Sequence, residues 1–542
     1  MDYDVLVVGG GVAGLSTAIS VKKEAEKKGK EISVALIEKG SAIGSHIVSG
    51  NCFMPRYLGE LFPDWEKMDN PPPLRTKVAR EEFHFLLSEK RKLTMPHFMM
   101  PKDLRNEGNY LISLGELCGW LGERAGEHGV DVFSGVAGAE LVFGDDGAVA
   151  GVTTSDSGRL LDGSEGENFQ AGVEIRAAAT VLAEGARGSL TETVISRFGL
   201  REGAKETPTF GLGVKEVWQM PEQDHESGYL AHSYGWPTDS STYAGGFLYK
   251  MENGLVHLGF VVGLDYQNPF ISPYEEFQKW KTHPEIRKHL EGGACLKYGA
   301  RVLNESGFNG LPKLNFPGGL LVGCSAGLLN VLKIKGAHNA MKSGIQAGQH
   351  LASHVLEGES LDEFDRDIKE GPIGQELYES RHFRGGFRAG RAAGLLNAAI
   401  STFSRGKLAF SLPHSGKDCD STQPASAHTP PVYPPKDGVL TFDILENLSR
   451  SGTHHAEGQP KHLVIKPAQL SAPQQSLKDF AGIEERFCPA KVYEFVDAPE
   501  GKKLQINSQN CIHCKTCSIK SPGEYIDWRV PQGGDGPEYT IL

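Results

Sequence analysis

The sequence predicts an α/β protein: a Rossmann-like nucleotide-binding domain, an antiparallel sheet inserted into it, and a small cysteine-rich domain at the C-terminal end. Three observations predict this. Gly9, Gly11 and Gly14 form G-x-G-x-x-G between an apolar strand and a helix. Residues 211–310 hold short aromatic-rich runs punctuated by glycine, the pattern of antiparallel strands. Four of nine cysteines, Cys488, Cys511, Cys514 and Cys517, fall in the last 55 residues. At 542 residues the chain has room for roughly two to four domains. With 39% hydrophobic and 23% charged residues it is globular rather than disordered. A net charge of −12 argues against nucleic acid as a partner. The first strand begins almost at Met1, so a signal peptide is not expected in this chain. No apolar run is long enough to span a bilayer as a helix.

Taken in order, Val5 to Val8 read as a buried parallel strand, Ala13 to about Lys28 as a helix, and Ile32 to Ile37 as a second strand ending at Glu38. Gly9 permits the tight turn, Gly11 lets backbone approach a pyrophosphate, and Gly14 lets helix and strand pack closely. Free N–H groups at the helix start suit phosphates. A carboxylate at Glu38 suits a ribose diol. The stretch Gly40–Trp65 is apolar but rich in Gly and Pro, and reads either as a loop over the nucleotide site or as a surface that dips into lipid headgroups. Leu111 to Gly129 reads as an amphipathic helix, and residues 130–175 as a small antiparallel layer.

Thr180 to Gly188, with Gly185, is another strand running into a glycine turn, similar to a run in flavoproteins of the two-domain hydroxylase type. Leu320 to Gly323 reads as a third nucleotide-domain strand. It leads through Cys324 and Gly327 to Gly336 and a helix near Ala337, whose positive end would face a bound ring. Arg381 to Arg405 starts basic and ends apolar at helical spacing. It reads as a helix end packed on a core or as a membrane-surface helix. Residues 411–436 are a proline-rich linker.

Cys511-x-x-Cys514-x-x-Cys517 with a remote Cys488-Pro489 is the ligand pattern of one [4Fe–4S] cluster. Ser521-Pro522 stands where a second cluster would need Cys-Pro. A zinc site with four thiolates is the alternative, but three cysteines in seven residues crowd a single tetrahedral ion. The hydroxyls of Thr516 and Tyr493 are candidates to hydrogen-bond cluster sulfurs and raise the potential.

These motifs, together with LFPDW, GLGVKEVW, GWPTDSSTYAGGFLYK, VVGLDYQNP, YGARVLNE, NFPGGLLVGCSAG, KIKGAHNAMKSG, RFCPAKVYEF and INSQNCIHCKTCSIKSP, resemble the electron transfer flavoprotein–ubiquinone oxidoreductase family over nearly the whole chain. The resemblance implies FAD, one [4Fe–4S] cluster, and electron flow from reduced electron transfer flavoprotein to ubiquinone, linking fatty-acid and amino-acid oxidation to the respiratory chain. It implies a monotopic protein on the matrix face of the mitochondrial inner membrane or the cytoplasmic face of a bacterial one. Membrane contact is expected at about His46–Glu66 and Phe387–Arg405. Quinone contact is expected at Ala244 and Gly245, with Tyr243 and Phe247 lining the entrance. Gly9, Gly11, Gly14, Glu38, Gly185, Gly323, Gly327 and Gly336 are expected at FAD. The implied division is 1–75, 120–210 and 311–360 for FAD; 76–119 and 211–310 for quinone; 361–410 for a helical membrane segment; 411–436 for the linker; and 437–542 for a ferredoxin-like cluster domain. In two departures, Val12 replaces the usual proline and Ala244 the usual glycine, which adds a methyl at the expected quinone wall. The alternative is a geranylgeranyl-reductase-like or monooxygenase-like FAD enzyme with a fused ferredoxin domain. No second nucleotide fingerprint appears for a nicotinamide donor.

Overall fold

The computed structural model describes residues 1–50, 52–221, 226–499 and 501–542. Strand Asp2–Val8 is central to the nucleotide sheet. It pairs in parallel with Val34–Glu38 on one side and Glu174–Leu182 on the other. Asp131–Ser134 extends one edge in parallel and Gly319–Leu321 the other. Val5, Leu6 and Val7 are fully buried because helices cover both faces of such a sheet. Val12–Lys27 and Ala337–Glu357 are two of these helices. Gly344 and Gly348 let the two pack closely, since a Cβ at either would strike backbone or side-chain atoms of residues 13–21.

The second sheet is mainly antiparallel. Its order is Ala294–Asn304, Phe210–Gln219, Leu255–Gly263, Ala244–Lys250, Tyr229–Gly235, Arg80–Leu86, Lys92–Thr94. Helix Pro273–Lys281 covers its outer face. Buried Glu216 fixes that contact: its carboxylate accepts Lys281 Nζ at 2.8 and 2.9 Å, Gln278 Nε2 at 3.0 Å and Trp218 Nε1 at 2.7 Å. Asn447, from the C-terminal domain, donates to the same carboxylate at 2.7 Å. The C-terminal domain holds short helices, a hairpin (Tyr493–Ala498 with Gly501–Ile506) and a two-stranded sheet (Leu463–Ile465 with Ile526–Trp528).

Two expected boundaries shift. Residues 80–94 join the antiparallel sheet, but Leu114–Glu127 packs against the nucleotide core through Leu117, Cys118 and Leu121, because its apolar stripe matches that core. Helices Glu363–Glu370 and Pro372–Glu379 bury Phe364, Ile368, Ile373 and Leu377 in the same core, so their apolar faces cover protein. The linker lies along the antiparallel-sheet domain, with the Tyr433 hydroxyl donating to Glu276 at 2.8 Å.

Candidate functional site

One cavity of about 1480 Å³ runs between the two sheets. At its inner end Gly9, Gly11 and Glu38 line the wall. Gly9 has φ +113°, which only glycine adopts freely, and a Cβ there would strike the Ala183 carbonyl at 2.5 Å. A Cβ at Gly14 would lie 2.1 Å from the Gly9 carbonyl. A Cβ at Gly11 meets nothing within 4 Å, so this backbone is open to a ligand. Glu38 accepts the Gly10 N–H at 2.8 Å and the Gly40 N–H at 2.7 Å, which aims its carboxylate along the turn. Gly185, Cys324, Gly336 and Ala337 line the same cavity, so the long helix starts against it. Gly323 and Gly327 stand behind the wall with φ +60° and +81°, where they shape the turn. An open glycine cradle, a helix N-terminus and a fixed carboxylate fit a dinucleotide such as FAD.

The facing wall is the antiparallel sheet. Side chains alternate across a strand, and the register puts Gly245, Phe247 and Tyr249 on the cavity side with His232 and Tyr234 of the next strand. The methyl of Ala244 points the other way, into the core that holds Trp280, while the residue also borders the cavity. The methyl that replaces the usual glycine hydrogen thus lies on the side of the sheet away from the cavity. The Tyr243 ring lies 5.1 Å from Phe387 and under the Arg384 guanidinium at 4.2 Å.

The cavity's outer end is mainly apolar: Met95, Phe98, Met99, Leu395, Ala399 and Phe403 are among its lining, with Lys102, Asp103, Arg105 and Arg405 beside them. This mouth lies between the 95–105 loop and helix Arg391–Ser404. Phe98 is 80% exposed and Phe403 91%, and Met99, Leu396 and Leu408 are exposed as well. The 46–66 segment, expected at lipid, is otherwise. Phe53, Leu58 and Phe62 are at most 7% exposed and pack in protein core; Asn51 lies outside the described residues. Its apolar residues cover the core, which composition alone does not distinguish from lipid contact. The arginines ahead of helix 391–404 also turn inward. Arg384 pairs with Asp265 at 2.6 Å and Glu305 at 3.0 Å, Arg388 with Glu206 at 3.3 Å, and Arg391 donates to the carbonyls of Thr238 and Asp239. No helix among the described residues is long and apolar enough to cross a membrane.

Cys488, Cys511, Cys514 and Cys517 converge in a buried pocket of the C-terminal domain, all with free thiols. Burial and the neighbouring Cys514 push the Cys517 thiol up to about 12, and burial raises the other three. Such thiols become good ligands when a cationic centre removes the cost of their charge, and the four-cysteine set fits an iron–sulfur cluster. The His513 N–H donates to Cys511 Sγ at 3.4 Å. Thr516 Oγ1 lies 3.3 Å from Cys514 Sγ, and the Tyr493 hydroxyl, without an oxygen or nitrogen partner, faces Cys517.

Sequence reasoning missed what joins this pocket to the nucleotide site. Lys39, next to Glu38, meets His513 Nδ1 at 2.8 Å. His513 Nε2 meets His455 Nε2 at 3.0 Å, His462 stacks on His455, and His46 sits edge-on to His513. Burial, then Arg301, lowers Lys39 to about 7. Arg187 of the 183–189 turn donates to the Ser518 carbonyl and to Glu524. Lys39 and His46 are more than 400 positions from His455, His462 and His513, so no local signal marks the contact.

Comparison with known proteins agrees with this geometry. Residues 4–69 match a family model described as an FAD binding domain, residues 210–303 one for ETF-QO, ubiquinone-binding, and residues 438–540 one for electron transfer flavoprotein-ubiquinone oxidoreductase, 4Fe-4S. The chain is 45% identical to the mitochondrial electron transfer flavoprotein-ubiquinone oxidoreductase of Oryza sativa subsp. japonica, over all of this chain and 93% of that protein. It is 44% identical to the Bos taurus protein of the same name, over 99% and 89%. Among solved structures, a geranylgeranyl bacteriochlorophyll reductase-like protein from Thermoplasma acidophilum aligns with TM-score 0.52 and 18% identity, over 75% of this chain and 88% of that one, a likeness of fold alone. A nucleotide cradle, an apolar-mouthed cavity and a four-cysteine pocket thus lie in one chain with full-length relatives, and the chain belongs to the electron transfer flavoprotein–ubiquinone oxidoreductase family.

Proposed function

We propose that this chain takes electrons from reduced electron transfer flavoprotein and passes them through a [4Fe–4S] cluster and FAD to ubiquinone. The observation that carries this is the single cavity, which joins the glycine cradle to an apolar, exposed mouth. Bound FAD and the cluster supply the electron-transfer chemistry; the protein supplies position and electrostatics. Gly9, Gly11 and Gly14 hold the dinucleotide against the helix start, and Glu38 takes its ribose. Gly185, Gly323, Gly327 and Gly336 shape the opposite side of that site. Cys488, Cys511, Cys514 and Cys517 hold the cluster. The backbone of Ala244 and Gly245 takes the quinone ring edge, between Tyr243 and Phe247. Phe98, Met99, Leu396, Phe403 and Leu408 rest in one leaflet, so the quinone tail stays in lipid while its ring enters. The relatives named above are mitochondrial proteins, and the reading places this chain on the matrix face of that inner membrane or the cytoplasmic face of a bacterial one.

An anaerobic titration with reduced electron transfer flavoprotein tests the reading. Flavin absorbance should bleach and a reduced-cluster EPR signal appear, and added ubiquinone should reverse both. Cys511→Ala should lose the EPR signal and keep FAD. NADH and NADPH should reduce the flavin slowly at most. Stoichiometric zinc without iron, or rapid bleaching by either nucleotide, would refute the proposal.

A further inference from the structure

One residue of the cysteine run reaches out of the cluster pocket. Lys515 stands between Cys514 and Cys517 in the chain, yet it lines the same cavity as Gly9, Gly11 and Glu38. It is 7% exposed. Its ammonium meets Ser189 Oγ at 3.1 Å, at the start of helix Ser189–Arg197. The same ammonium lies 3.3 Å from the centre of the Trp528 ring. Trp528 lines the cavity too, and Lys39 Nζ approaches its ring at 5.5 Å. Two ammonium groups from different domains thus share one indole at the wall of the nucleotide site. Arg301, from the antiparallel sheet, lines that cavity as well. The backbone of Lys515 has φ +72°, in the left-handed region. That conformation is costly for a lysine and persists where the surroundings impose it.

Charges taken out of water need partners. The nearest charged groups to Lys515 are Glu184, Lys39 and Arg301. Glu184 is turned to the start of helix Ser189–Arg197, where its carboxylate accepts the Thr191 N–H at 2.7 Å, Thr191 Oγ1 at 2.8 Å and the Leu190 N–H at 3.3 Å. Glu38 is turned to the N–H groups of Gly10 and Gly40. Among the described residues, Lys515 binds a hydroxyl and Lys39 a histidine nitrogen, and neither has a carboxylate as ion-pair partner. Cations gathered without a counter-charge beside an open glycine cradle fit an anion, and the anion such a cradle takes is a diphosphate. We propose that Lys515 binds the diphosphate of the dinucleotide, with Lys39 and Arg301 beside it, so that the C-terminal domain completes the FAD site. This rests on the FAD reading above. Ser189 and Trp528 hold the ammonium in place. The dinucleotide then touches a residue that lies within the cysteine run of the cluster.

The test uses the full chain with its cluster loaded and its flavin stripped. Binding of FAD, ADP and adenosine is measured by fluorescence or calorimetry, with iron content and the reduced-cluster EPR spectrum as controls. In Lys515→Met, FAD and ADP should bind about tenfold more weakly, the loss of one charge-assisted contact, while adenosine binds as in wild type. Lys515→Arg should restore most of the affinity. Lys515→Asn, whose side chain suits a left-handed backbone, should behave as Lys515→Met does and guards against a folding defect. Wild-type affinity for FAD and ADP in both variants would overturn the proposal. So would an equal loss for ADP and adenosine, which would place Lys515 away from the diphosphate. Loss of iron in both variants would make Lys515 part of the cluster loop alone and overturn it too. A wild type that binds neither FAD nor ADP would instead overturn the dinucleotide reading beneath it.

Discussion

A Cβ built on Gly245 would meet only the Ser233 carbonyl, at 3.0 Å, and otherwise points into open cavity. A branched side chain there would fill the space beside Tyr243 and Phe247. Gly245→Val is expected to lower quinone reduction at least tenfold while leaving FAD, iron and reduction by the flavoprotein donor unchanged. Turnover at the wild-type rate would place the ring elsewhere, and loss of FAD would make the glycine structural. Residues whose role depends on local spacing were legible from sequence. The Gly9–Gly14 turn and the Cys511–Cys517 run each encode their own geometry within a few positions. Thr516 and Tyr493 were found the same way, as hydroxyls near the cysteines in the chain. The direction of Ala244 was not legible, because it follows from strand register, which its pairing with Val262 and the packing of Trp280 decide. The histidines around His513 come from separate segments, so only the folded chain brings them together.

The element that best separates sequence pattern from structure is the exposed apolar rim of the cavity mouth. Helix Arg391–Ser404 showed itself by apolar periodicity, and Leu396 and Phe403 are exposed on it. Composition also nominated Gly40–Trp65, where Phe53, Leu58 and Phe62 are buried, and gave no notice of Phe98 and Met99 in a short turn between prolines. Apolar content says that a segment avoids water; the fold decides whether protein or lipid covers it. The double variant Phe98→Ser, Phe403→Ser should weaken binding to liposomes by about tenfold or more, since each ring removes substantial apolar area from the interface. Leu58→Ser should act differently, lowering thermal stability with no specific effect on the membrane. Equal liposome binding by the double variant and wild type would remove this rim from the membrane surface.

Across the whole molecule, the domains are interlocked rather than strung in series. Glu216 ties the antiparallel sheet, its covering helix and the C-terminal domain through Trp218, Lys281 and Asn447. Lys281→Met would leave that carboxylate buried without its cation, at a cost of about 3–5 kcal/mol. Calorimetry should show the flavin-site and cluster-site transitions moving down together; a shift confined to one of them would mean that the domains melt independently. The contact of Lys39 with His513, and that of the Ser45 carbonyl with the Tyr539 N–H at 2.8 Å, have a consequence for the nucleotide site. The C-terminal domain closes over the very loop that follows Glu38. Removing the last residues of the chain is therefore expected to loosen the loop that follows Glu38, and with it the glycine cradle.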